Sequence, residues 1–123
     1  MLNFWKAFGI YNEGSVTEAI RELTKVQDRR EIQYAAAVAL IYYHEKCRNI
    51  DQETIDTFVL QLDEREEMAS DRDLLCASNF LWHVQQLKRA GQIVQKILEM
   101  NPGNLNALAL KGWIYLSAQK DDL

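Results

Sequence analysis

Hydrophobic positions return every three or four residues along nearly the whole chain, and no stretch of useful length alternates apolar with polar residues. That period is the helical one, so the pattern predicts α-helices throughout and no sheet. Met1–Asn12 is apolar nearly all round, through Leu2, Phe4, Trp5, Phe8, Ile10 and Tyr11. A helix of that kind expects neighbours on more than one side, and so further helices before it. A turn at Glu13-Gly14-Ser15 leads into a second helix reaching about Gln27, with Val16, Ala19, Ile20, Leu23 and Val26 on one face. Ser15 and Glu18 have the spacing of a capping box.

After the charged connection Asp28–Glu31, a third helix over Ile32–Lys46 carries alanine at 35, 36, 37 and 39, which allows close approach of helix backbones. Asn49–Asp51 breaks the pattern and offers Asp51 as a cap. The fourth helix presents Ile55, Phe58, Val59 and Leu62, then runs into Asp63–Glu67, read as a solvated face. Ser70 or Asp71 opens a fifth helix, Leu87–Met100 forms a sixth, and Asn104 or Asn106 starts a seventh reaching about Gln119. Pro102-Gly103 stops the sixth helix, since proline cannot continue one.

These helices pair into a repeated unit, clearest from Asp71 to Asn104. Leu74, Ala77, Ser78 and Leu81 mark its first helix, and Ala90, Val94 and Ile97 its second. A small residue followed three positions later by a large one recurs as Ala7 with Ile10, Ala39 with Tyr42, Ser78 with Leu81 and Gly112 with Tyr115. The small residue lies where the helices of a hairpin touch, and the large one fills the space beside it. The resulting units are 1–31, 32–70, 71–104 and 105–123, close to the roughly 34-residue period of a tetratricopeptide repeat, which the pattern resembles. The resemblance implies an all-α, right-handed superhelix of about seven antiparallel helices, or three and a half hairpins, with first helices lining the inner side. The seventh helix lacks a hairpin partner, so Leu108, Trp113 and Ile114 are expected to form an unmatched apolar face. Self-association through such exposed end helices is expected.

Composition narrows the function. The 123 residues hold one proline and five glycines, leaving little room for linkers. Fourteen basic against eighteen acidic residues give a net charge of −4, with the two signs interspersed. A nucleic-acid partner would need a basic patch, and none is visible. No run of about 18 apolar residues suggests direct membrane insertion. Cys47 and Cys76 fall in helical patterns and are read as reduced, packed thiols.

Candidate binding residues follow from the repeat register. The positions just after each large first-helix residue hold Tyr11 and Asn12, Tyr43 and His44, Trp82 and His83, and Leu116 and Ser117. An aromatic followed by a polar group, repeated over successive units, suits a peptide held by stacking and hydrogen bonds. The same aromatics could instead pack between neighbouring first helices. Tyr11, Tyr43, His44, Arg72, Asn79, Trp82 and His83 are therefore the candidate protein-binding groove. Chaperone-binding relatives of the repeat hold a C-terminal carboxylate with charged and amide side chains. Asn79 matches one such place, but Leu75 and Cys76 occupy others, which argues against that clamp. His44 with Cys47 and Cys76 with His83 form no convincing metal-ligand set. No phosphate loop, serine elbow or cysteine–histidine arrangement points to catalysis or to a cofactor.

Longer stretches carry a closer resemblance. Phe4-Trp5-Lys6-Ala7-Phe8-Gly9, Thr17-Glu18-Ala19-Ile20-Arg21-Glu22-Leu23, Ala39 through Cys47, and Phe80-Leu81-Trp82-His83 resemble the N-terminal region of the tetratricopeptide repeat protein 21 family. The resemblance implies a non-enzymatic scaffold in cilia and flagella, part of intraflagellar transport complex A, with the other complex A subunits as partners. It also implies retrograde transport and cargo entry as the process, cytoplasm, cilium and basal body as the location, and more repeats on both sides. The alternative is a peptide-binding module of a co-chaperone or transport adaptor.

Overall fold

A computed structural model describes the backbone of residues 2–121 and the side chains of residues 2–119. Met1, where the first helix was predicted to start, and the end of the last unit at Leu123 lie outside the described residues. Among the described residues there are seven helices and no strand: α1 Leu2–Asn12, α2 Val16–Thr24, α3 Gln33–Glu45, α4 Gln52–Met68, α5 Asp71–His83, α6 Leu87–Met100 and α7 Leu105–Asp121. The all-α repeat architecture is the one the hydrophobic period predicts. The chain divides into two compact units, one through Ser70 and one from Asp71.

In the N-terminal unit, α1 packs on α2, α2 on α3 and α3 on α4. The α1–α2 turn rests on a Schellman cap: the Ser15 N–H donates to Ile10 O at 3.2 Å and the Gly14 N–H to Tyr11 O at 2.9 Å. Gly14 occupies the left-handed position of that cap, at φ +94°, where a side chain would strain the backbone. The predicted capping box at Ser15 does not form: Ser15 sits at the N-cap of α2, but its side chain makes no capping bond. Helix α2 also ends at Thr24, and residues 25–32 continue as turns in which Val26 and Ile32 are buried.

Helix α3 is the most buried element. Ala35, Ala36, Ala37, Ala39, Leu40 and Tyr43 have no exposure at all, as the alanine-rich sequence implies. Asp51 caps α4 as expected: it accepts from the Thr54 N–H at 3.1 Å and from the Thr54 hydroxyl at 2.7 Å. These bonds favour the ionised carboxylate and hold its pKa below the usual value. The α4 stripe is narrower than predicted. Ile55 and Phe58 are buried, Leu62 is half-buried and Val59 is exposed.

The run Asp63–Glu67 is not uniformly solvated. Arg65 is half-buried, and its guanidinium donates to Gln33 O at 2.7 Å, Gln27 O at 3.3 Å, Gln27 Oε1 at 2.8 Å and Gln61 Oε1 at 3.1 Å. It also lies 5.7 Å from the centre of the Phe58 ring. Four carbonyl oxygens, two from Gln27 of the α2–α3 connection, one from the first residue of α3 and one from Gln61 of α4, thus converge on one fork of donors. A single side chain ties the irregular connection to α4.

In the C-terminal unit, α5 packs on α6, α6 on α7, and α5 also touches α7. The small position of this hairpin is Ser78, fully buried against fully buried Ala90, with its hydroxyl donating to Ala90 O at 2.8 Å. The α5–α6 turn repeats the cap of the first hairpin: the Gln86 N–H donates to Leu81 O at 2.9 Å and the Gln85 N–H to Trp82 O at 3.1 Å. Gln85 takes the left-handed position at φ +65° that Gly14 takes in the first unit. Asn104 starts α7 by accepting from the Ala107 N–H at 3.1 Å.

The expected unmatched face of α7 is drawn differently. Ile114 is buried, lying 3.9 Å from the position of a Cβ on Gly91 of α6. The exposed apolar residues of α7 are Leu105, Leu108, Trp113, Tyr115 and Leu116, and a Cβ placed on Gly112 beside them would meet nothing within 4 Å. Seven residues between Ala107 and Ile114 make two helical turns, so these two share the side turned to the rest of the unit.

Candidate binding cleft

The candidate residues of the C-terminal unit come together where α5 meets α7. On α5, Leu75, Asn79, Trp82 and His83 lie at helical spacing along one side, and on α7 Asn106, Ala109, Leu110 and Trp113 do the same. Together they line an open cleft of about 510 Å³. The α5 side is held by buried Leu74, Ala77, Ser78 and Leu81 behind it. The α7 side is held by Ala107, Leu110 and Ile114.

Trp82 organises the wall. Its indole N–H donates to the Ser117 hydroxyl of α7 at 2.9 Å, and its ring lies 6.5 Å from that of Trp113, tilted by 41°. Its polar edge is used inside the unit, and ring surface remains for packing. His83 sets its ring edge-on to Trp82 at 4.9 Å, with Nδ1 2.8 Å from Asn79 O. A carbonyl can only accept, so that nitrogen carries the proton. The lining contains no Asp, Glu, Lys or Arg.

The other candidates stand elsewhere. Arg72 is exposed and does not line the cleft. In the N-terminal unit Tyr43 is fully buried, its ring 4.9 Å from Tyr11 and 6.1 Å from Tyr42. It packs between first helices and offers no face to a ligand. Tyr11 is half-buried, and its hydroxyl donates to that of Tyr42 at 3.3 Å. That bond and partial burial raise the Tyr11 pKa. His44 is half-buried, and desolvation lowers its pKa despite the opposing pull of Asp51. Lys46 sits 5.0 Å above the Tyr42 ring. The predicted aromatic ladder is thus a packed tyrosine cluster in the N-terminal unit and an open cleft in the C-terminal one.

Sequence reasoning missed Asn106, Ala109 and Leu110 as cleft residues and placed Trp113 on an end face. The signal was present: 106, 109, 110 and 113 fall on one helical face, facing the register of α5. Cys47 and Cys76 are free thiols, Cys47 half-buried and Cys76 buried. Among the described residues no three or more His, Cys, Asp or Glu side chains are grouped to hold a metal ion, and no helix is long and apolar enough to cross a membrane.

The fold is that of a helical-repeat protein built from packed antiparallel hairpins. The sequence matches the family described as "Tetratricopeptide repeat protein 21 N-terminal ARM repeat" over residues 1–123, and the chain belongs to that family. It is 33% identical over 119 residues to tetratricopeptide repeat protein 21A of Mus musculus, covering 97% of this chain. It is 30% identical over 120 residues to the 21A protein of Homo sapiens and 26% identical over 121 residues to the human 21B protein, each covering 98% of this chain. The chain spans 9% of the length of each of these relatives.

Proposed function

We propose that the chain is part of a non-enzymatic protein-interaction scaffold, a structural subunit of intraflagellar transport complex A acting in retrograde ciliary transport and cargo entry. The observation that carries this reading is the family match over residues 1–123. In support, α7 leaves Leu105 78%, Tyr115 65% and Leu116 51% exposed, apolar side chains available to a protein partner. The partners are then the other complex A subunits, and the sites of action the cytoplasm, the cilium or flagellum and the basal body.

The α5–α7 cleft favours a second reading, a peptide-receptor module of a co-chaperone or adaptor kind. Affinity capture separates the two. The tagged chain, co-expressed with complex A subunits, is expected to retain folded subunits through washing at moderate salt. Retention of short unstructured tails alone would replace the first reading with the second.

A further inference from the structure

The cleft between α5 and α7 has a chemistry narrower than that of a general interaction surface. Among the described residues, the Asn79 and Asn106 carboxamides and the Trp113 indole N–H meet no hydrogen-bond partner within the chain, and all three residues line the cleft. Trp82, with its own N–H committed to Ser117, contributes ring surface beside the half-exposed ring of Trp113. The lining therefore offers amide and indole donors, the exposed His83 imidazole, two indole rings and no Asp, Glu, Lys or Arg.

An α-helical occupant satisfies its own carbonyls and would leave those donors facing spent acceptors. An ammonium group would lose water and find no carboxylate, and a carboxylate would find no lysine or arginine. A polyproline II segment differs from both: it makes no internal hydrogen bonds, its carbonyls point outward, and its pyrrolidine rings are flat apolar plates that lie on aromatic surfaces. A volume of about 510 Å³ lies within the ordinary range of ligand clefts. We propose that this cleft takes an uncharged, proline-bearing extended segment of a protein partner, its rings against Trp82 and Trp113 and its carbonyls on Asn79, Asn106 and the Trp113 N–H. The proposal rests on the scaffold reading and names the kind of segment the scaffold holds there.

The test is a titration of the whole ¹⁵N-labelled chain with a blocked oligoproline peptide, read on the indole N–H resonances of Trp82 and Trp113. Saturable shifts are expected at both, and none from a blocked glycine-serine or glutamate-rich peptide of equal length. W113F and N106A, which alter exposed side chains, should keep the circular dichroism of the parent while weakening oligoproline binding, W113F by about tenfold. The proposal is overturned if oligoproline moves neither resonance, if the glutamate-rich peptide binds as well, or if W113F and N106A bind oligoproline as the parent does. Capture of folded subunits that persists when oligoproline fails sinks this proposal alone. Oligoproline binding without any such capture sinks the scaffold reading alone.

Discussion

Arg65 and Gln33 exchange hydrogen bonds in both directions: the guanidinium donates to Gln33 O at 2.7 Å, and the Gln33 side-chain amide donates to Arg65 O at 2.9 Å. The pair joins the first residue of α3 to the last turns of α4 across 32 positions of sequence. Around it, the remaining Arg65 donors hold the α2–α3 connection.

That arrangement makes Arg65 a stability residue. Arg65→Ala removes four donor bonds of a charged, half-buried group and should destabilise the N-terminal unit by about 2 kcal/mol. Arg65→Lys should recover little, because an ammonium cannot span the forked acceptor set. Urea unfolding followed by circular dichroism reads both. A change under about 0.5 kcal/mol for the alanine variant would mean the bonds are not formed in solution.

The two Schellman caps predict opposite responses to glycine chemistry. Gln85 holds φ +65°, so Gln85→Gly should raise stability by about 0.5–1 kcal/mol through relief of left-handed strain. Gly14→Ala should lower it by about 1 kcal/mol for the backbone alone, since a Cβ there meets nothing within 4 Å. Thermal unfolding of the two variants should show shifts of opposite sign, and shifts of the same sign would contradict the shared cap.

Ser78 lies fully buried in the α5–α6 hairpin, bonded to Ala90 of the partner helix. Ser78→Ala should lose about 1 kcal/mol with the hydroxyl bond to Ala90. Ser78→Leu has nowhere to put its added carbons, since Ser78 and the facing Ala90 are both fully buried, and should lose about 3 kcal/mol or unfold the hairpin. Amide hydrogen exchange localised to α5 and α6 distinguishes a loosened hairpin from a general loss of structure. Equal tolerance of alanine and leucine would show that the helices do not meet there.

Burial pushes the Cys76 thiol up to about 12, and the neighbouring Asp73 adds in the same direction. The unfolded thiol ionises near its ordinary value of about 8.5, so below that pH both states keep the proton and this group gives no slope. Between there and about 12 the unfolded chain releases a proton that the folded chain retains, so stability falls as pH rises. Cys76→Ala should flatten that alkaline decline. Native Cys76 should also resist Ellman's reagent at pH 8 until denaturant is added, and rapid labelling of the folded chain would place the thiol at the surface.

Helix identity was legible because the apolar period of each segment is a local property, and it located α6 at Leu87–Met100 to the residue. The Asp51 cap was legible for the same reason, since a cap is a bond between a side chain and a backbone group three positions away, whereas the structure chose Asn104 over Asn106 at the start of α7. The repeated small residue told where hairpins touch at Ala7, Ala39 and Ser78, each fully buried, but not at Gly112, which is exposed and whose large partner Tyr115 also faces water. The turn at Gln85 was harder to see, because glutamine does not advertise a left-handed conformation as glycine does.

What tertiary structure alone decided is which equivalent positions face a neighbour and which face water. Tyr43 and Trp82 occupy the same register, yet one is sealed beneath Tyr11 and Tyr42 while the other borders an open cleft. Arg65 reads as one charge in a charged run, and only the return of the α2–α3 connection beside α4 supplies its acceptors. A period fixes the angle of a side chain about its own helix axis. The presence of another helix at that angle depends on packing between segments distant in sequence, and no local pattern encodes it.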